Sequence, residues 1–104
     1  MAITRRSRVL AGARLLDEQC PKWEKDIDLE RLEMDSCRRC ILGQLFGDYN
    51  NGKLALGLIT GAVFGFNEVG SEDVMKFPEL TAMWKRLVAR RRLQTATADL
   101  KKYL

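Results

Sequence analysis

Apolar residues mark the first helix clearly. Val9, Ala13, Leu16 and Cys20 recur at the i, i+4, i+7, i+11 spacing of one helical face, predicting a helix over about residues 4–19. Pro21 stops it, because proline disfavours the helical conformation in the residue before it. The next segment, PKWEKDIDLERLEMD, has apolar anchors at Trp23, Ile27, Leu29, Leu32 and Met34 with no clean period. It reads as a structured connector with about one helical turn. Asp35 or Ser36 can then cap a helix over 36–46, since a short side-chain oxygen accepts from the free amides of a first turn. Ile41, Leu42, Leu45 and Phe46 cover most of that helix's circumference, which predicts a central, buried position. Gly47 suits a left-handed C-terminal cap, and Asp48 to Gly52 suit a turn.

The longest uncharged apolar run is Leu54–Phe66, LALGLITGAVFGF. It is too short for a membrane span, which needs about 20 residues, so it reads as a buried core segment. Gly57, Gly61 and Gly65 recur every fourth residue. Interior glycines weaken a helix by about 0.5–1 kcal/mol each against alanine, so two short helices broken near Ile59–Gly61 are expected rather than one long one. No Gly-Lys-Ser/Thr follows at P-loop spacing, and no strand-turn-helix context supports a dinucleotide fingerprint.

Pro78 opens the last helix. Leu80, Met83, Trp84, Leu87 and Val88 form a firm stripe, and Arg91 continues that face. The next apolar residues, Leu93, Ala96, Leu100 and Leu104, lie on nearly the opposite side. The helix therefore either bends near Arg90–Arg92 or runs past the domain. A displaced stripe of this kind is a candidate surface for a partner protein or for a homodimer through the C-terminal helix; the plainer reading is a frayed terminus.

Composition narrows the function classes. The chain has 104 residues, 46% hydrophobic and 31% charged, enough for one domain. Folding a chain of this size buries roughly two-thirds of its unfolded surface. It contains no histidine, which excludes a Ser-His-Asp triad, a Cys-His dyad and a Cys2His2 zinc finger. The N-terminus lacks a long apolar h-region, so neither secretion nor a membrane location is expected. The net charge of +4 is segregated: residues 1–16 carry +4, residues 17–35 carry −5 and residues 80–104 carry +6. These segments either neutralise one another in the fold or bring two basic ends onto one polyanion-binding surface. The second reading makes Arg5, Arg6, Arg8, Lys85, Arg86, Arg90 and Arg92 candidate contacts to DNA or RNA.

Cys20, Cys37 and Cys40 are an odd set, which suits a reducing cytosol better than a disulfide framework. Cys37 and Cys40 form a CxxC at the start of the 36–46 helix. A zinc site from Cys37, Cys40 and Cys20 lacks a fourth ligand. A redox pair lacks the surrounding strands of a thioredoxin-type fold. Packing is the simplest role for these thiols, and no cofactor is expected. The carboxylate pairs Asp26/Asp28 and Glu30/Glu33 lie in a charged segment with no apolar pocket to shift a pKa, and read as a solvated face.

Leu32, Met34, Cys40, Leu42, Gly43, Gln44, Leu45, Phe46, Gly47 and Tyr49 fill an L-x-M-x5-C-x-L-G-Q-L-F/Y-G-x-Y pattern. On these residues the chain resembles small accessory proteins encoded by actinobacteriophages, including mycobacteriophages and their prophages. Gly65-Phe66-Asn67 and the Leu80, Thr81, Trp84 helix start are also similar, so the resemblance covers about residues 15–88. That family has no assigned activity or cofactor. The resemblance implies expression in an actinobacterial host cytoplasm and interaction rather than catalysis. The expected fold is a mainly α, single domain over residues 1–104. It has about four helices, near 4–19, 36–46, 52–58 and 78–97, with 93–104 an extended C-terminal tail helix. The expected core is Leu16, Ile41, Leu45, Phe46, Leu56, Phe64, Leu80, Trp84 and Leu87. The expected function is a non-enzymatic, protein-interaction module on a host or phage protein, acting through Leu93, Ala96, Leu100 and Leu104. The alternative is a nucleic-acid-binding accessory protein.

Overall fold

Four α-helices and two short 3-10 turns make up the computed structural model, which describes residues 4–67 and 76–101. No strand occurs among the described residues. Helix α1 spans Arg5–Gln19 and starts where Thr4 Oγ1 accepts from the Ser7 amide. Its Val9, Ala13 and Leu16 are buried on one face, as their spacing predicts. A 3-10 turn at Trp23–Asp26 follows Lys22, which takes the left-handed conformation.

Helix α2 is shorter than its pattern suggests, covering only Ile41–Phe46. Residues before it form turns. Ser36 does cap, but it caps an isolated turn, accepting from the Arg39 amide at 3.1 Å. The α2 cap is Cys40, whose extended backbone breaks the helix and whose Sγ accepts from the Gly43 amide at 3.2 Å. Cys37 is therefore outside the helix, on an exposed turn. Gly47 ends α2 at φ 97°, a conformation that costs other L-residues about 1–2 kcal/mol. The expected turn at 48–52 is instead the start of α3, Tyr49–Leu56, because Asp48 accepts from the Asn51 amide at 2.7 Å and caps it.

The 54–66 run is not a buried segment. Helix α3 ends at Leu56, and a second 3-10 turn forms at Ala62–Phe64, so the chain is broken where the glycines predict. Leu54 is 80% and Ile59 97% exposed, while Phe66 is fully buried. Helix α4 spans Phe77–Lys101 without interruption.

Trp84 organises the core. Its ring stacks on Phe66 at 5.5 Å and meets Trp23 edge-on at 6.0 Å. Its indole N–H donates to the Gly65 carbonyl at 2.7 Å, so a fully buried aromatic leaves no unpaired donor. Leu16, Leu32, Ile41, Leu42, Leu80 and Val88 complete the buried set around these rings. Of the expected core, Leu16, Ile41, Leu80 and Trp84 are buried; Leu45, Phe46, Leu56, Phe64 and Leu87 pack against it half-buried. The connector contributes more than its pattern suggests: Trp23, Ile27, Leu32 and Met34 are all buried. Long-range bonds hold it. The Gln44 side chain accepts from the Asp28 amide at 2.6 Å and donates to the Asp28 and Arg39 carbonyls. The Met34 amide donates to Thr81 Oγ1 at 2.9 Å.

Candidate interaction surface

Helices α1 and α4 run in the same direction, in a register set by two ion pairs. Arg5 meets Glu79 at 2.9 Å, and Asp17 meets Arg91 at 2.6 Å. The two pairs are twelve residues apart on both helices, which is about 18 Å along a helix axis. Between them the helices leave a groove of about 460 Å³. Leu10, Met83 and Leu87 give it apolar contact surface, and Arg6, Arg86 and Arg90 give it positive charge. Arg6, Arg86 and Arg90 are exposed, and no ion pair engages them among the described residues. Among the described residues, no acidic side chain lines the groove. Arg91, which also lines it, is held by Asp17 and lies 3.6 Å from Glu24.

The basic residues divide into two sets. Arg6, from the N-terminal end, and Arg86 and Arg90, from α4, line the same groove. Arg5, Arg8 and Arg92 are used inside the molecule and correct the expectation of one seven-residue basic face. Arg8 is buried and donates to the Ala62 carbonyl at 3.3 Å. Arg92 donates from Nε and Nη2 to the Glu24 carbonyl, and from Nη2 to the Ile27 carbonyl as well. It thereby satisfies carbonyls at the end of the 3-10 turn. Lys85 is half-buried and absent from the groove lining. It lies on a different side of α4 from Arg90, since five residues turn a helix by about 140° beyond one full turn.

The displaced stripe is on the surface. From Leu93 onward every described side chain of α4 is exposed. Leu93 is 69% and Leu100 68% exposed, and Ala96 lies between them. Leu104 is outside the described residues. Leu54, Ile59 and Val63 are also exposed.

The thiols are separate features. Cys20, Cys37 and Cys40 are free, and among the described residues no three Cys, Asp or Glu side chains gather as a metal site. Burial pushes the Cys40 thiol above its ordinary pKa, and burial also raises Cys20. One member of each carboxylate pair has a partner outside its pair's side chains: Asp28 Oδ1 accepts from the Glu30 amide, and Glu33 lies 3.5 Å from Arg39. No helix among the described residues is long and apolar enough to cross a membrane.

The groove was not legible in advance. Met83 and Leu87 read as core stripe, and Leu10 falls off the Val9/Ala13/Leu16 stripe. That off-stripe leucine, one turn from Arg6 and Arg14, is the available signal. No family model, no curated protein and no solved structure matches the chain.

Proposed function

We propose that the protein is a non-enzymatic interaction module that binds a host or phage protein through the outer face of α4. The observation that carries the reading is the run of α4 beyond the core with Leu93 and Leu100 largely exposed. Exposed leucines at helical spacing, followed by no packing partner among the described residues, suit capture of another apolar surface. The absence of histidine from the sequence removes the commonest general base and agrees with a binding role. The resemblance of residues 29–49 to actinobacteriophage accessory proteins is the reason to seek the partner in an actinobacterial host cytoplasm.

Nucleic-acid binding is the second reading, supported by the convergence of Arg6, Arg86 and Arg90. It requires affinity that falls steeply with salt, because each neutralised phosphate releases counterions.

Tagged protein should be used to capture partners from host lysate, with one half treated with nuclease. A defined protein should survive nuclease and be lost with Leu93→Asp/Leu100→Asp, whose helical circular dichroism should be unchanged. Capture that disappears entirely with nuclease would replace this reading with the second one.

A further inference from the structure

We infer that the α1–α4 groove receives an acidic amphipathic helix of a partner protein. This rests on the reading of the protein as an interaction module and names the chemistry of what it binds. Leu10, Met83 and Leu87 offer an apolar bed, with Arg6 contributed by α1 and Arg86 and Arg90 by α4. A ligand that fits must be apolar along its centre and negative along both flanks. A helix with leucine-type anchors at i, i+4 and i+7 and carboxylates beside them has that form. On α4 the groove lining runs from Met83 to Gln94, about 16 Å or three helical turns, a length that a short helix can cover.

Other occupants fit less well. An extended strand would need a sheet edge to pair with, and no strand occurs among the described residues. A nucleic acid strand would want aromatic platforms along the groove, and none lines it among the described residues. A duplex is too wide to reach an apolar bed between two helices, and Arg5, Arg8 and Arg92 are already engaged internally. A second copy of this chain offers the wrong charge. Its exposed helical stripe, Leu93 and Leu100, is flanked by Arg90 and Arg92. Its acidic segment has its apolar anchors Trp23, Ile27, Leu32 and Met34 buried. Charge complementarity therefore selects an acidic partner helix.

The test is fluorescence anisotropy with three labelled probes. The first is a helical peptide of about 14 residues with leucines at i, i+4, i+7 and i+11 and glutamates on both flanks; the second carries lysines for those glutamates; the third is a 20-base-pair DNA duplex. The glutamate peptide should bind the wild-type protein at least tenfold more tightly than the other two probes. Arg86→Glu/Arg90→Glu should lower that affinity at least tenfold and should bind the lysine peptide instead. Both arginines are exposed, so circular dichroism of this variant should match wild type; Leu10→Lys gives an independent block of the same groove from α1. Failure of the glutamate peptide to bind, equal binding to the charge-reversed variant, or preference for the duplex would each overturn the inference. Leu93→Asp/Leu100→Asp lies outside the groove lining and should leave peptide binding intact. Peptide binding that survives there while lysate capture is lost separates this inference from the function of the stripe.

Discussion

Asp17 and Arg91, 74 residues apart, form the contact that ties the end of α1 to the middle of α4. Arg91 Nη1 donates to both carboxylate oxygens, at 2.6 and 2.7 Å. The same carboxylate accepts from the Trp23 indole N–H at 2.9 Å. One acidic side chain thus joins two helices and pairs the polar edge of a core tryptophan. Trp23 is 1% exposed, so its N–H has no recourse to bulk water. Asp17→Ala should cost about 1–3 kcal/mol, the usual penalty for stranding a buried donor. Arg91→Ala should cost less, about 0–1 kcal/mol, because the pair is partly solvated. Urea denaturation of the two variants gives the comparison, and equal losses would mean that the indole bond is unimportant.

The same carboxylate gives a pH dependence. Burial raises the Asp17 pKa, but hydrogen bonds from Arg91 and Trp23 and the charge of Arg91 outweigh it, and the net shift is downward from 3.8. A group whose folded pKa is depressed contributes stability above its unfolded value and loses it as pH falls through the folded value. The contribution should therefore be complete above about pH 4 and fade below 3.8. Asp17→Asn should flatten that part of the stability curve. An unchanged acid limb in the variant would contradict the pairing.

Trp84 is the residue on which α4 depends most. Replacing it with alanine removes contacts to Phe66 and Trp23, and should cost about 3–5 kcal/mol. Trp84→Phe keeps much of the volume but leaves the Gly65 carbonyl without its donor, and should cost about 1–3 kcal/mol. Thermal unfolding with near-ultraviolet circular dichroism checks both values.

Gly12 inverts a familiar rule. Within a helix, Gly→Ala ordinarily stabilises by about 0.5–1 kcal/mol. A Cβ at Gly12 would stand 2.0 Å from the Phe64 carbonyl oxygen, which is backbone and cannot rotate away. Gly12→Ala should instead destabilise by about 1–3 kcal/mol through overpacking. A stabilised variant would mean that the 62–64 turn does not press on α1.

Thiol reactivity should follow burial. Cys37 is exposed, Cys20 half-buried and Cys40 buried. Iodoacetamide should label Cys37 first, Cys20 more slowly and Cys40 only on unfolding, as mass spectrometry of timed samples can show. Cys40→Ala should also cost about 0.5–2 kcal/mol, because Cys40 Sγ caps α2. Rapid labelling of Cys40 in the folded protein would remove that capping role.

What the sequence reveals depends on where each element's information resides. Val9, Ala13 and Leu16 sit on a regular stripe, so α1 is visible from local spacing. Trp23, Ile27, Leu32 and Met34 have no period because no α-helix or strand spans them; Gln44, Thr81 and Arg92 hold their backbone, from 16 to 68 residues away. The 54–66 run misleads because its apolar content is not all directed inward: Phe66 enters the core while Leu54 and Ile59 face out. Arg8 and Arg92 look like surface charge in the sequence, yet each serves a backbone carbonyl from another element. The stripe from Leu93 was legible because its phase departs from that of Leu80, Trp84 and Val88. The groove was not, since it exists only once α1 and α4 lie side by side.

The most direct test of the interaction reading is hydrogen exchange of the protein with and without its nuclease-resistant partner. Amides over residues 86–100 should gain protection in the complex, with little change around Leu54 and Ile59. Protection confined to residues 54–63, or no protection on α4, would contradict the assignment of α4 as the working surface.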